Sequence, residues 1–183
     1  LSTVSGGIYV DCDITADDCR LSTLSGSIKV QHDIHADKLK LNTVSGQIRT
    51  AAQLYAKEQE FSSVSGSVNA VVAGESFSAE TVSGSVNVAV IGACSGKVNT
   101  VSGGIAISLL SDIGIDIKCS GMSGSLKLMT DKHVVWDNDD EKNTMRFGFA
   151  KSDRHAVFGD GLARITAGSV SGSVKVYVFG KTE

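Results

Sequence analysis

The motif T-V-S-G-S and its variants recur along the chain at a nearly fixed spacing, and this period constrains the fold more than any other feature of the sequence. LSTVSGGIYV (residues 1–10), LSTLSGSIKV (21–30), LNTVSGQIRT (41–50) and FSSVSGSVNA (61–70) repeat every 20 residues. TVSGSVNV (81–88), TVSGGIAI (100–107), MSGSLKL (122–128) and VSGSVKV (170–176) follow with small slips and one long insertion. The motif serines are Ser5, Ser25, Ser45, Ser65, Ser83, Ser102, Ser123 and Ser171, at intervals of 20, 20, 20, 18, 19, 21 and 48. A unit this small cannot bury an apolar face alone, whereas stacked copies bury all of them in one column. The period therefore predicts an all-β fold, a parallel β-helix (β-solenoid) of about eight rungs. At ~4.8 Å per rung it would be about 38 Å long, and right-handed, as parallel crossovers overwhelmingly are.

Within each copy, apolar and β-branched residues alternate with period two, the signature of a strand with one buried face. Strict alternation places Val4, Ile8 and Val10 inward, with Leu24, Ile28 and Val30, and Val82, Val86 and Val88, in the same roles. It predicts an inward column of Val4, Leu24, Val44 and Val64, with Thr3, Ser5 and Tyr9 facing out. The motif glycines, Gly6 to Gly172, fall on the inward parity, where absence of a side chain implies close backbone packing. Ile14 with Ala16, Ile34 with Ala36 and Leu54 with Ala56 form a weaker inward set. The composition agrees with an unbroken ladder, with 20 Gly and no Pro.

The reading is of one domain over residues 1–183: regular rungs over 1–129, a cap insertion over 130–165, and a last rung with the C-terminal strand over 166–183. The insertion carries Trp136, Phe147, Phe149 and Phe158, and a hairpin is expected between MRFGFA (145–150) and HAVFG (155–159). Leu1 opens directly on a rung, so the sequence reads as part of a longer protein with an N-terminal portion missing.

The recurring T-V-S-G-S-V, together with the ending FGDGLARITAGSVSGSVKVYV (158–178), resembles a bacterial family of β-strand-repeat domains, DUF4097, described as adhesin-like. The resemblance implies a β-solenoid attached to other segments in cell-surface or envelope-stress proteins, hence a cell-envelope or extracellular location. It brings no enzymatic residues, and function has to be argued from a site.

Candidate sites are few. An outward hydroxyl ladder, Thr3 and Ser5, Thr23 and Ser25, Thr43 and Ser45, Ser63 and Ser65, Thr81 and Ser83, then Thr100 and Ser102, would suit a glycan or a protein surface, and equally suits an ordinary exposed sheet. Bends at the Ser-Gly step would instead hide these hydroxyls. Trp136 in the cap is a second binding candidate. Cys12 and Cys19 share the first rung and are close enough in sequence to bridge, whereas Cys94 is assigned to the Ala16 column and Cys119 to the Leu1 and Leu21 column, which makes these two small buried hydrophobes, and free thiols are expected. Unpaired thiols point to a reducing compartment, against the family's surface role.

His32, Asp33, His35 and Asp37 have metal-ligand chemistry, yet His32 and His35 fall on opposite faces of a strand. The acidic run 137–141 lacks the spacing of a calcium loop. No nucleophile elbow and no phosphate loop occurs. A net charge of −3 argues against nucleic acid, and no apolar run reaches the ~20 residues of a membrane span. The expectation is a non-catalytic binding or scaffold module with no metal or cofactor, engaging a surface glycan or a protein. The alternatives are a polysaccharide-lyase-like β-helix, for which the outward Lys29, Arg49, Lys127 and Lys175 lack acidic partners, and a repetitive ice-binding surface.

Overall fold

The structure, a computed structural model, describes residues 1–110, 114–123, 126–130, 135–136, 153–158 and 161–178. Those residues are all-β with no helix, and parallel strands stack as a β-solenoid whose continuous coil makes about five turns, fewer than the eight rungs expected. Register follows the repeat: Ile14–Ser25 pairs with Ile34–Ser45, which pairs with Leu54–Ser65, so Ser25, Ser45 and Ser65 are neighbours, as are Leu21, Leu41 and Phe61. Ile8, Ile28, Ile48 and Val68 align in the same way on the short strands.

Each turn has three apolar faces. In the second turn they are Ile28 with Val30, then Ile34 with Ala36, then Leu39, Leu41 and Thr43. The corners between them carry pairs of consecutive solvent-facing residues: Gln31 and His32, Asp37 and Lys38, Val44 and Ser45. Two outward residues in a row reverse the inside–outside parity, so alternation counted through a corner comes out inverted. The predicted inward column Val4, Leu24, Val44 and Val64 is corrected on this ground: Val44 is 42 % exposed, whereas Thr43 is 4 % exposed. Val82, placed inward by the same count, is likewise 49 % exposed, whereas Ile8, Val10, Ile28, Val30, Val86 and Val88 are buried as expected.

The inward glycines have a specific cause. Gly46 lies so close to the backbone of the preceding rung that an added Cβ would sit 2.0 Å from the Gly26 carbonyl oxygen; the corresponding distances are 1.8 Å for Gly66 to Gly46 and 2.2 Å for Gly84 to Gly66. No side chain fits that gap, and the obstructing atom is backbone, so relief requires separating the rungs.

The last two copies stack out of sequence order. Ser95–Ser102 pairs on one side with Val68–Ser83 and on the other with Ala163–Ser171. Ala163–Ser171 pairs in turn with Ile115–Ser123, so the eighth copy lies between the sixth and the seventh. The short strands repeat the order, with Val174–Val178 between Ile105–Leu109 and Leu126–Thr130. The chain therefore skips one layer, builds the seventh copy beyond it, and returns to fill the gap.

Two segments of the region read as a cap are described. Asp153–Phe158 runs antiparallel to Ile115–Ser123, the seventh copy, and pairs with Val135–Trp136. Among the described residues Asp153–Phe158 thus flanks the seventh copy, while the last copy lies inside the stack. Residues 145–150, the other half of the expected hairpin, lie outside the described residues, as does the acidic run 137–141.

The glycine packing gives a direct test. Gly46→Val should lower unfolding stability by about 1–3 kcal/mol or more through overpacking against the Gly26 carbonyl. Ser45→Ala, at an exposed neighbour, should stay within about 0.5 kcal/mol. Urea denaturation of both variants reads the difference.

Candidate functional site

The hydroxyl ladder divides into two columns with different jobs. Thr23, Thr43, Ser63, Thr81, Thr100 and Ser169 point inward at the Ser-Gly corner and are buried. Each donates to the carbonyl of the motif glycine one rung back: Thr23 Oγ1 to Gly6 at 3.0 Å, Thr43 Oγ1 to Gly26 at 3.0 Å, and Thr81 Oγ1 to Gly66 at 3.1 Å. Ser63, Thr100 and Ser169 make the same contact to Gly46, Gly84 and Gly103 at 3.3 to 3.4 Å. These carbonyls take no backbone hydrogen bond, because the glycine N–H of the facing rung is directed onward to a serine carbonyl, as Gly26 N–H is to Ser45 at 3.1 Å. These bonds are part-buried, and a carbonyl shut off from water without a donor costs up to about 1–3 kcal/mol, so the hydroxyl removes a real defect.

Thr23, Thr43, Ser63 and Thr81 are therefore corrected from outward binding groups to buried bracing groups, and Thr3 is half-buried. Ser5, Ser25, Ser45, Ser65 and Ser83 remain solvent-facing and in register, continued by Ser102 and Ser171. Beside them runs a second exposed column that strict alternation had placed inside: Val4, Leu24, Val44, Val64, Val82, Val101 and Val170, all between 42 and 69 % exposed. One corner of the solenoid thus presents an aliphatic row flanked by a serine row. The clue in the sequence was the motif itself, since T-V-S-G holds a hydroxyl where a core position should be apolar. Trp136 lies on a two-residue strand opposite Ala156.

The histidine and aspartate cluster is dispersed among three structural roles. Asp13 and Asp33 cap the corner that follows the short strands, Asp13 Oδ1 accepting from Asp33 N–H at 3.2 Å and Asp33 Oδ1 from Gln53 N–H at 3.0 Å. His32 lies 3.5 Å from Asp11 and from Asp13. His35 stacks on Tyr55 one rung on, with ring centroids 4.8 Å apart, and Asp37 pairs with Lys57 at 2.7 Å. On the short strands Lys29 lies over the Tyr9 ring at 5.3 Å, and Asn87 donates to Asn69 at 2.7 Å. Outward residues on neighbouring rungs thus mostly serve one another.

The cysteines form no disulfide, so Cys12 and Cys19 do not bridge. Cys19, Cys94 and Cys119 are buried and Cys12 is exposed. Cys119 occupies the Leu21 column through Ala167, Val98, Ala79, Phe61 and Leu41, as expected. Cys94 does not share the Ala16 column: Ser95 aligns with Ser76, two positions past Gly74, which is the residue that faces Ala56. Burial pushes the Cys94 thiol from 9.0 up to about 11, and burial is also the main cause raising Cys19.

Three tests follow from these placements. Thr43→Val keeps the shape and orphans the Gly26 carbonyl, so it should destabilise by about 1–3 kcal/mol, while Val44→Ser on the exposed row should change stability by under about 0.5 kcal/mol. In the native protein Cys12 should react with a thiol reagent while Cys94 reacts only on unfolding. Because Cys94 ionises later in the fold than in the unfolded chain, its contribution to stability is complete below pH 9.0 and should fade as pH rises toward about 11.

Comparison with known proteins returns one family. No curated protein and no solved structure matches the chain significantly. The Toastrack DUF4097 family model matches residues 1–175, nearly the whole sequence, and agrees with the repeat and the solenoid described above. The chain belongs to the Toastrack DUF4097 family.

Proposed function

We propose that this Toastrack domain is a rigid, non-catalytic scaffold of the bacterial cell envelope that binds a protein partner along its aliphatic and serine corner. The observation that carries this reading is the unbroken exposed row from Val4 to Val170, in register with exposed serines. Burying such side chains releases roughly 1.5–3 kcal/mol each when they start fully exposed, and these start about half exposed. Individual contacts are weak, and seven on one straight edge accumulate as multivalent contacts do. Aliphatic knobs require an apolar counterpart, which favours a protein over a sugar. The rest of each rung supports a scaffold role, since its polar groups are spent on capping corners and pairing with adjacent rungs. Envelope location and an adhesin-like role rest on the family resemblance.

The test is to immobilise the domain and compare it with a Val44→Asp, Val82→Asp variant against fractionated envelope proteins and a glycan array. Circular dichroism should show the variant folded, because both positions are exposed. The expected result is a retained protein partner that the variant loses. Binding to glycans that is insensitive to both substitutions would overturn this reading.

A further inference from the structure

Along the first four rungs, lysines on the long-strand face are matched by acids on the neighbouring rung. Lys38 pairs with Glu58 at 3.4 Å, Lys40 with Glu60 at 2.5 Å, and Lys57 with Asp37 at 2.7 Å. The far end of the same face is different. There the inserted strand places Arg164 between Ser95 and Asp116, and Thr166 between Lys97 and Lys118. Rungs are ~4.8 Å apart, so the two lysine positions flank Thr166 closely. Arg164, two residues back on the same strand, shares its face. All four side chains are exposed, and they line one shallow groove of about 390 Å³.

The cations in this groove are under-matched. Asp116, the acid beside Arg164 in register, is engaged by His155 at 2.6 Å. Lys97 has a 3.7 Å contact to Glu80, whose carboxylate also accepts from Asn99 at 3.1 Å. Among the described residues neither Arg164 nor Lys118 forms an ion pair. Three cations and a hydroxyl thus face one groove whose single lining carboxylate, Asp116, is engaged by His155, in a chain whose net charge is −3.

We propose that this groove binds a phosphate oxyanion, with Thr166 donating from the floor, Lys97 and Lys118 from the two sides, and Arg164 from the end. A planar carboxylate would be satisfied by the guanidinium fork alone. A tetrahedral anion with several acceptor oxygens uses donors arriving from different directions. The site exists only because the eighth copy separates the sixth from the seventh, since a stack in sequence order would put Lys118 directly against Lys97. It lies apart from the aliphatic corner and is independent of the partner proposed there.

The probes are inorganic phosphate and glycerol phosphate, titrated into ¹⁵N-labelled protein at low ionic strength, because an exposed site is screened by salt. Shifts should centre on Thr166 and its neighbours. Arg164→Gln and Lys118→Gln should each weaken binding by about tenfold or more, as loss of a charge-assisted hydrogen bond implies, and Arg164→Lys should restore part of it. Lys38→Gln, on the matched part of the face, should change nothing. Glycerol phosphate binding as well as the free ion would identify a phosphate ester as the natural group; binding of inorganic phosphate alone would identify the free anion. No localised shifts with either probe, or an equal loss in Lys38→Gln, would overturn the site, provided thermal melting shows each variant folded.

Discussion

A side-chain hydroxyl donating to the glycine carbonyl of the preceding rung is the contact on which the rest of the solenoid depends. The coil must bend sharply at each Ser-Gly step, and rungs can stack through that bend only if nothing projects from the glycine. Such close stacking leaves the glycine carbonyl without a backbone donor, and the buried Thr or Ser answers that defect at six successive interfaces. The hydroxyl and the glycine are thus two parts of one solution, which is why T-x-S-G recurs as a unit. An individual hydrogen bond of this kind adds only about 0.5–1.5 kcal/mol net, but leaving a carbonyl between rungs without a donor costs more, so the column penalises any rung that departs from the motif.

The same uniformity explains the unexpected strand order. Rungs that share one corner geometry are interchangeable as neighbours, and register alone does not specify which copy follows which. The eighth copy can therefore occupy the layer between the sixth and seventh with the same Ser-to-Ser pairing found elsewhere. Closing the far end with an antiparallel strand gives that layer a different kind of edge, which limits further addition of parallel rungs. The insertion also brings together Lys97, Arg164, Thr166 and Lys118, residues that a sequential solenoid would not arrange around one groove.

Much of the architecture was legible in the sequence because a 20-residue period with Val, Ile and Leu on alternate positions leaves few ways to bury a core. Ile28, Val30, Ile48 and Val86 could be placed inside from that pattern, and they are buried. What the pattern hid was the corner. Val44 and Ser45 both face solvent, so alternation carried back from Ile48 assigned Val44 and Thr43 to the wrong sides. A strand rule holds only while the backbone remains extended. The hydroxyl ladder was accordingly seen as surface when half of it is core, and the aliphatic row was seen as core when it is surface. The stacking order and the cationic groove were not legible at all, because both depend on long-range pairing between segments of nearly identical motif.

The measurement that bears most directly on this account is the exchange of threonine hydroxyl protons by NMR. If Thr23, Thr43, Thr81 and Thr100 donate to glycine carbonyls inside the corner, their hydroxyl protons should exchange slowly enough to be observed. They should also show contacts to the glycine of the preceding rung, whereas the hydroxyls of Ser25 and Ser45 exchange with water too fast to be seen. Threonine hydroxyls exchanging as fast as those serines would contradict the bracing column and the solenoid geometry built on it.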